Sequence, residues 1–507
     1  MRRRLRALEA EFRFDFPIQH DRNYLISNFE FMDHLWALLA FGGYLLTLIL
    51  VPYVFFQTRK QSVSTLAWIT AIITLPYLGG LLFLLVGINR VERRAALKLA
   101  SRQQIGRVIP GLARFQLLPG EALQPQVQQL LRLANRISST KCCFGNSVEL
   151  LTNTNRTLGL IEQAIKAARV SIHLEYYIFQ PDKTGYRLRD LLIRKAIEGV
   201  KVRFLYDGVG SIFLGRKFLQ PMRDAGIVVA NALPGASFRE RWTINLRNHR
   251  KIVIVDGITG FTGGMNIGDE YIGRNRRLGY WRDTHLRLRG PLALQLQQVF
   301  AEDWFFATGE QPAGQNWYPP TDQEGDQIAQ VIAGGPDGEF EVFHALFFAA
   351  INEASDRITL ATSYFVPTPA LVAALETAAR RGVRVRVMVP RNGDHRWMVI
   401  AGRGYYESLL QSGVEIYEYY RGLLHAKTLT IDGVWSLVGT PNFDTRSLLL
   451  NFEVAVALYG PKPAAQLEEQ FADDLEHAAR IDLHGFRRRS RIYKLAEQVL
   501  KLFSPIL

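Results

Sequence analysis

The sequence has little cysteine and no pattern of the kind that holds a metal. Two of its 507 residues are cysteine, Cys142 and Cys143, and they are adjacent. Neighbouring cysteines do not build a disulfide framework, so we expect a reducing compartment and a chemically inert pair. Neither an acidic cluster nor a metal-binding Cys/His spacing occurs, which favours chemistry without a metal or another cofactor.

Acidic residues are scarce relative to basic ones. The 61 Lys and Arg outnumber the 47 Asp and Glu, which gives a net charge of +14 and a pI near 9.7. This excess indicates an anionic partner, which could be a membrane surface, a nucleic acid or a phosphate substrate. The composition is otherwise that of a folded protein, and the length suffices for two or three domains.

Two runs near the N-terminus contain no charge. Residues 35–56 read "LWALLAFGGYLLTLILVPYVFF" and residues 65–88 read "TLAWITAIITLPYLGGLLFLLVGI". Each is long enough to cross roughly 30 Å of hydrocarbon at about 1.5 Å per residue. Buried core helices are the alternative, which the tandem arrangement disfavours. We therefore predict two transmembrane helices.

Basic residues flank this pair on both sides. The N-terminal segment, 1–34, is rich in Arg and the segment after residue 88 in Arg and Lys, whereas the loop between the runs has Arg59 and Lys60. The positive-inside rule then places both ends of the chain in the cytoplasm. The acidic residues of the N-terminal segment carry little weight in that rule.

The remainder divides into a basic juxtamembrane segment, 89–145, and two similar α/β regions. "VSIHLEYYIF" followed by "GYRLRDLLIRKAIEGV" predicts a strand and a helix, and "DRITLATSYFV" followed by "PALVAALETAARRGV" repeats that order. Residues 311–339 are rich in Gly, Pro, Asp and Gln and are interpreted as a linker. We predict duplicated domains at 146–310 and 340–485, related by a pseudo-twofold axis. The basic amphipathic segment 486–507 is either a solvated helix or a contact with anionic lipid.

One motif occurs in both regions. "RNHRKIVIVDGITGFTGGMN" at 247–266 matches "LHAKTLTIDGVWSLVGTPN" at 424–442. Five positions coincide at a constant offset: His249, Lys251, Asp256, Gly263 and Asn266 correspond to His425, Lys427, Asp432, Gly439 and Asn442.

Strand alternation assigns these residues to faces. His249 and Lys251 share one face of a predicted strand, whereas Asp256 has the opposite parity. An Asp-Gly pair between apolar runs is a strong hairpin signal, so Asp256 is interpreted as a turn and framework residue of the catalytic motif. The second copy behaves alike, with His425, Lys427 and Asp432.

A histidine, a lysine and an asparagine that converge suit a phosphodiester. Lys251 and Lys427 supply charge, and Asn266 and Asn442 supply hydrogen bonds to the phosphate oxygens. Two histidines permit double displacement, in which one attacks phosphorus and the other transfers protons. Ordinary strand histidines are the alternative for a single copy, and the doubling disfavours it.

A nucleophilic imidazole also needs a carboxylate on its far nitrogen. The aligned tails of the two regions each offer one on a predicted strand, Asp283 in "YWRDTH" and Glu453 in "LNFEVA". The other histidines are interpreted as structural. His173, which shares a strand face with Glu175, is the most arguable of them.

The doubled pattern His-x-Lys-x4-Asp-x6-Gly-[Gly/Ser/Thr]-x-Asn resembles the signature of the phospholipase D superfamily. The stretches "LPYLGGLLFLLVG", "LEYYIFQPDKTG", "TGGMNIGDEY", "YWRDTHLRLRGP" and the terminal "LFSPIL" are similar to the bacterial cardiolipin synthase family within it. This resemblance covers roughly residues 35–507. Gly264 and Thr440 stand where many relatives have serine.

The resemblance implies two phospholipase D-like α/β/α sandwich domains in the cytoplasm, anchored to the bacterial inner membrane. It implies that two phosphatidylglycerol molecules give cardiolipin and glycerol through a phosphatidyl-histidine intermediate, without a metal. It supports Asp283 and Glu453 as the residues that orient the histidines. By analogy, His249 attacks and His425 is the acid and base.

Alternative functions include other enzymes with the same chemistry and a protein without catalytic activity. A phospholipase D or another phosphatidyltransferase differs in the acceptor. A nuclease of the superfamily is disfavoured by the apolar runs and by the lack of an interleaved basic and aromatic groove, so no nucleic-acid partner is expected. A catalytically dead membrane scaffold is disfavoured because every motif position is filled. Acyl-chain preference, phosphatidylethanolamine as donor, regulation and oligomeric state stay open.

Overall fold

The computed structural model describes residues 21–57, 62–84, 109, 111–117, 124–233, 246–336, 338 and 341–502. The chain divides into two compact units, Met1–Arg90 and Val91–Leu507. The arginines that begin the chain, and much of the basic segment that follows the second apolar run, lie outside the described residues. The predicted membrane topology therefore stays a prediction.

The first unit contains three described helices: α1 Asp21–Gln57, α2 Ser62–Thr74 and α3 Pro76–Leu82. Among the described helices, one segment, Met32–Phe55 of α1, is long and apolar enough to cross a membrane by length and composition. The second predicted span is interrupted at Leu75, because Pro76 lacks the N–H that would continue α2. Residues 85–88 of that span lie outside the described residues. The structure thus offers one candidate span where we predicted two.

The first half of the second unit follows a strand and helix alternation. Its strands are β1 Cys143–Asn153, β2 Ser171–Tyr176, β3 Lys201–Tyr206, β4 Val228–Asn231, β5 Arg247–Asn248, β6 Lys251–Val255, β7 Thr259–Gly263 and β8 Tyr280–Arg289. Its helices are α4 Pro125–Ile137, α5 Thr154–Ala167, α6 Lys183–Ile197, α7 Arg216–Asp224 and α8 Pro291–Thr308, with 3-10 turns at Leu112–Phe115 and Glu270–Ile272.

The second half repeats the alternation. Its strands are β9 Gln327–Gly334, β10 Arg357–Ala361, β11 Phe365–Val366, β12 Arg384–Pro390, β13 Glu415–Tyr419, β14 Gly422–Leu424, β15 Thr428–Ile431, β16 Trp435–Gly439, β17 Phe443–Asp444, β18 Asn451–Tyr459 and β19 Ala478–Arg480. Its helices are α9 Val342–Glu353, α10 Pro369–Arg380, α11 Arg396–Arg403, α12 Tyr406–Gln411, α13 Thr445–Leu449, α14 Pro461–Leu475, α15 Leu483–Arg487 and α16 Arg491–Leu502.

The two halves pair their strands in the same order. In the first half the order is β4-β3-β2-β6-β7-β8-β1, and in the second it is β13-β12-β10-β15-β16-β18-β9. The first three strands of each are parallel and the remainder antiparallel. The predicted mixed α/β fold is confirmed.

Strand β9 corrects the predicted linker. Residues 311–339 were interpreted as a linker, yet they contain the strand Gln327–Gly334, which pairs with β18 from Ile328 to Gly334 and also with β1. The pattern "QIAQVIAG" is apolar enough to be buried in a sheet, and the polar residues around it masked that signal. Within the predicted juxtamembrane segment, α4 likewise packs into the core of the second half.

Strand β6 illustrates how the core is layered. Val253 and Val255 pack with residues of α5, α6 and α7, whereas Ile252 and Ile254 pack with residues of α8 on the opposite face. This is the alternation expected of a strand that is buried on both faces. The predicted strand is nevertheless interrupted, because β5 ends at Asn248 and β6 begins at Lys251.

Candidate active site

His249 lies in the gap between β5 and β6, against the second half of the unit. Its backbone N–H donates to the Phe452 carbonyl at 2.9 Å, and its Nδ1 lies 2.8 Å from Glu453 Oε2. Glu453 belongs to β18, which runs parallel to β5 at this point. The first histidine is therefore held by a carboxylate from the second half.

His425 has the reciprocal arrangement. It follows β14, which pairs in parallel with β8 of the first half. Its backbone N–H donates to the Arg282 carbonyl at 2.7 Å, and its Nδ1 lies 2.8 Å from Asp283 Oδ2. The two histidine–carboxylate pairs thus cross between the halves.

These contacts fix which ring nitrogen can react. An ionised carboxylate only accepts hydrogen bonds, so each Nδ1 carries the proton and each Nε2 keeps its lone pair. Burial alone would raise the pKa of Glu453, but His249, Lys251 and the Thr440 hydroxyl hold it below its usual range. Burial opposes ionisation of Asp283 as well, and His425 and Lys427 lower its pKa overall. Both carboxylates are therefore ionised at neutral pH.

Burial also shifts the histidines. It lowers the pKa of His249 to about 4, against the opposing effect of Glu453. Burial and then Lys427 lower the pKa of His425, against Asp283. Both imidazoles are accordingly neutral at pH 7, which suits a nucleophile.

The two lysines of the motif are buried beside the histidines. Lys251 Nζ donates to the His249 carbonyl at 2.7 Å, and Lys427 Nζ donates to the His425 carbonyl at 2.5 Å. Burial lowers the pKa of Lys251 to about 7 and that of Lys427 to about 8, although nearby carboxylates oppose the shift. Lys427 contributes to the lowered pKa values of both His249 and Lys251, so charges from both halves act on one site.

Two further residues touch these lysines and escaped the sequence prediction. Lys427 Nζ also donates to Ser363 Oγ at 2.9 Å, and that hydroxyl donates to Asn442 Oδ1 at 2.6 Å. In the first half Tyr177 occupies the equivalent place, with Lys251 Nζ 5.2 Å from its ring centroid and the His249 ring 4.9 Å away. Both residues follow an inner strand of their sheet, β2 or β10, and the side chains of "YYIF" and "TSYF" carried no motif signal.

The asparagines of the motif hydrogen-bond to neighbouring protein groups. Asn266 Oδ1 accepts from the Ile178 N–H at 3.2 Å. Asn442 Nδ2 donates to Ser447 Oγ at 3.3 Å. Their role as phosphate ligands remains a prediction that would require these amides to exchange partners.

Asp256 and Asp432 occupy turns, as their parity predicted. Asp256 has a φ of 54° and Asp432 one of 51°, the left-handed region that Asp tolerates in tight turns. The Asp256 carboxylate accepts N–H groups from residues 169, 170 and 171. The Asp432 carboxylate accepts those of residues 355, 356 and 357. Neither carboxylate contacts a motif histidine in the described hydrogen bonds.

The small residues of the motif allow close packing of neighbouring strands; we had predicted that they would allow close approach of a ligand. A Cβ on Gly439 would come within 2.4 Å of the Ala455 Cα on β18, and one on Gly264 within 2.0 Å of Asp283 Oδ1. Thr440, at the equivalent place in the second copy, instead donates its hydroxyl to Glu453 Oε2 at 2.5 Å. These residues let the carboxylate-bearing strands approach the motif.

A buried polar network lies behind His249. Asn248 Nδ2 donates to Glu175 Oε1 at 2.6 Å. Arg250, which is fully buried, pairs with Asp303 of α8 and donates from Nε to the Glu453 carbonyl at 3.1 Å. Burial raises the pKa of Glu175 well above its usual range, and the neighbouring Asp303 raises it further. The remaining arguable histidine, His173, stacks between Phe300 and Trp317 and is structural.

A groove of about 750 Å³ lies beside the first half, and the motif histidines are not among its lining residues. Gln180, Phe213, Asp269 and Arg274 are among its lining residues, on loops that follow β2, β3 and the motif asparagine. Across the described ranges, no three His, Cys, Asp or Glu side chains group in a way that could hold a metal ion.

Comparison with known proteins places this site in a class. The family model described as "Cardiolipin synthase, PLD-like domain" matches residues 161–304 and again 347–475. The model described as "Phospholipase_D-nuclease N-terminal" matches residues 45–87. The solved phosphatidylserine synthase of Haemophilus influenzae is 13% identical, with a TM-score of 0.56 over 75% of this chain and 98% of that one, which is a likeness of fold. The matched models and the doubled motif define a phospholipase D-like protein.

Full-length relatives narrow the class further. The chain is 38% identical over 465 residues to the cardiolipin synthase of Alkalihalophilus pseudofirmus, which covers 91% of this chain and 92% of the relative. It is 37% identical over 476 residues to that of Halalkalibacterium halodurans, covering 93% and 95%. The chain belongs to the cardiolipin synthase family. The predicted family and the predicted enzyme class, a phosphatidyltransferase, are confirmed.

Proposed function

We propose that this chain is a membrane-bound cardiolipin synthase. It transfers a phosphatidyl group from one phosphatidylglycerol to a second, giving cardiolipin and glycerol. The family membership supports the reaction, and the crossed histidine–carboxylate pairs carry the proposed mechanism. Two neutral, oriented imidazoles in one buried site match a double displacement.

In the first step His249 Nε2 attacks the phosphorus of the donor lipid. The new bond joins Nε2 to phosphorus, and the bond from phosphorus to the glycerol oxygen breaks. His425 protonates that oxygen, so glycerol leaves as a neutral alcohol. Glu453 stabilises the positive charge that develops on His249. Binding of the negative phosphodiester would raise the pKa of His425 and so allow it to hold the proton.

In the second step the hydroxyl of another phosphatidylglycerol gives its proton to His425. The oxygen attacks phosphorus, the bond from phosphorus to Nε2 breaks, and His249 is regenerated. Lys251 and Lys427 offset the charge on the non-bridging oxygens in both steps. Asn266 and Asn442 are proposed to add hydrogen bonds to the same oxygens.

The proposal includes the setting of the site. The two halves are inferred to be duplicated α/β/α sandwich domains, because their strands pair in the same order. The chain is placed in the bacterial inner membrane with both domains in the cytoplasm, on the basis of its apolar N-terminal runs and basic flanks. Anchoring would confine the search for both lipids to the bilayer plane.

Lipid product analysis tests this function. The full-length protein is reconstituted in phosphatidylglycerol vesicles without added divalent metal, and the products are identified by mass spectrometry. We expect cardiolipin and glycerol in equal amounts, and loss of both in the His249→Ala and His425→Ala variants. His484→Ala removes an exposed histidine and should leave the yield unchanged.

The alternative outcomes are distinct. Phosphatidic acid as the main product would make water the acceptor and the enzyme a phospholipase D. An active His249→Ala variant would exclude the proposed intermediate. If no lipid product forms under any condition, the scaffold reading replaces the proposal.

A further inference from the structure

The last helix, α16, packs against the protein in an unusual orientation. Ile492, Leu495, Val499 and Leu502 recur at spacings of three and four and form one stripe. Their side chains are 80%, 66%, 42% and 79% exposed, whereas Glu497 is 4% exposed. A helix of a soluble domain normally turns its apolar stripe inward. Here the apolar stripe faces away, and the side that packs carries Glu497 and Lys501 together with one apolar residue, Leu500.

Charged side chains hold the helix in this orientation. Glu497 accepts from Arg489 Nη2 at 3.0 Å. Lys501 Nζ donates to the Gly404 carbonyl at 3.2 Å and lies 4.2 Å from the Tyr405 ring centroid. Lys494 Nζ donates to the Arg487 carbonyl at 2.7 Å. The position of α16 is thus fixed without use of the apolar stripe, which is left available for a partner.

Cations border the stripe. Arg488 and Arg491 are exposed at the start of the helix, on a chain whose net charge is +14. An apolar stripe beside arginines is the pattern of a helix that lies in a membrane interface and is attracted by anionic lipid. The substrate and product of the proposed reaction are themselves anionic lipids.

We propose that the outward stripe of α16 docks on the surface of an anionic lipid bilayer, with its apolar side chains among the acyl chains. This inference rests on the membrane residence in the proposed function and adds a second point of contact to the N-terminal anchor. One neighbouring helix connects α16 to the loop beside His425. Helix α16 packs on α11, and α11 follows the loop of Asp394, which accepts from the Tyr364 hydroxyl at 2.8 Å and raises the pKa of His425. Docking would therefore hold the His425 side of the site near its lipid substrates.

Site-specific labelling tests the contact. Leu495→Cys is labelled with an environment-sensitive fluorophore in the full-length protein. Cys142 and Cys143 are 0% and 1% exposed, so they do not compete for the label. The matched control is Ile197→Cys, because Ile197 is an apolar residue 73% exposed on α6 of the other half. Both proteins are measured in neutral detergent, in phosphatidylcholine nanodiscs and in phosphatidylglycerol nanodiscs.

We expect the emission at position 495 to shift to shorter wavelength in phosphatidylglycerol and to be quenched by a nitroxide on the acyl chains. The shift should be smaller in phosphatidylcholine, and position 197 should show neither effect. An unshifted signal at 495 in phosphatidylglycerol would overturn the proposal. A label at 495 that is shielded from water in phosphatidylglycerol but not quenched by the acyl-chain nitroxide would also overturn it, because protein, from this chain or a second copy, would then cover the stripe.

Two further results bear on the interpretation. An equal shift at 495 in both lipids would refute the anionic preference, and equal shifts at 495 and 197 would mean that the label itself partitions. The series is repeated in His249→Ala, which we expect to dock as well as the parent. The membrane contact is then decided separately from the catalytic proposal.

Discussion

Asn248 and Arg250 flank the histidine of the first motif, whereas Leu424 and Ala426 flank that of the second. Behind His249 there is a fully buried arginine with two carboxyl groups, Glu175 and Asp303. Behind His425 the two flanking residues belong to a small apolar cluster. The two copies thus keep the five motif residues and differ in what supports them.

The lysines differ in the same way. Lys251 lies over the face of Tyr177, and Lys427 donates to the hydroxyl of Ser363. The residue after the motif glycine differs too, since Gly264 gives space to Asp283 and Thr440 binds Glu453. The two copies share the motif residues that the proposed chemistry uses, and they differ in the residues that support them. Unequal supports fit unequal roles for the two histidines.

The largest effect should come from the histidines, and it tests whether their roles differ. We expect His249→Ala and His425→Ala each to lower kcat by roughly 10⁴-fold or more on phosphatidylglycerol. A donor with a nitrophenol leaving group needs no proton from an acid. With it, His425→Ala should release one burst of nitrophenol per enzyme and His249→Ala none. A burst from His249→Ala alone would reverse the assignment.

The buried arginine should matter next, through stability. Arg250→Met leaves the carboxylate of Asp303 buried without its cation, which typically costs about 3–5 kcal/mol of unfolding free energy. The measurement is denaturant unfolding of the full-length protein in detergent, followed by tryptophan fluorescence. Arg488→Met, at an exposed position, should change stability by less than about 0.5 kcal/mol. If Arg250→Met changed the unfolding free energy as little as Arg488→Met, the buried polar network behind His249 would not contribute to stability as expected.

The Thr440 hydroxyl should have a smaller effect on activity. Thr440→Val removes a hydrogen bond to the ionised Glu453, and such a bond contributes about 1.5–3 kcal/mol, or roughly 10- to 100-fold in kcat. Thr440→Ser keeps the hydroxyl and should restore most of the rate. In the first copy, by contrast, adding a hydroxyl side chain is expected to lower the activity. Gly264→Ser should lower activity, because its Cβ would displace Asp283 from His425. Full activity in Gly264→Ser would contradict the packing described for that residue.

The lysines should give the smallest effect, seen in the pH profile. Lysine is charged below its pKa, and the pKa values of Lys251 and Lys427 are lowered to about 7 and about 8. Phosphate binding therefore weakens as pH rises through this range, and kcat/KM should fall on the alkaline side. Arginine keeps its charge, so Lys251→Arg should move the fall toward pH 8 and Lys427→Arg should leave it near 7. The same profile in both variants and the parent would exclude lysine titration as the cause.

The sequence allowed prediction of the motif residues because they recur at fixed spacing, and the repeat also indicated the α/β alternation. Strand β9 escaped because eight apolar-rich residues lie inside a polar stretch. Residues 65–88 are continuously apolar, so hydropathy predicted one helix, but Pro76 separates two helices. Tyr177 and Ser363 were not predicted for another reason. They occupy equivalent positions but are different residue types, and aligning the two copies detects only residues that are the same in both.

The crossing of the histidine–carboxylate pairs was beyond sequence reasoning as well. Asp283 and Glu453 were predicted as carboxylate partners, but strand parity says which face a side chain occupies and not which sheet lies opposite. The crossing depends on the parallel contacts of β5 with β18 and of β14 with β8. In one of the two pairs, His249 and Glu453 are 204 residues apart in the sequence.

The crossing of the pairs also determines when the site can form during synthesis of the chain. A ribosome that has translated the first half has made an imidazole whose carboxylate is not yet synthesised, because Glu453 lies near the end of the chain. His249 can be oriented only after β18 has joined its sheet. The nascent chain therefore lacks the oriented histidine of the proposed mechanism until the second half has folded.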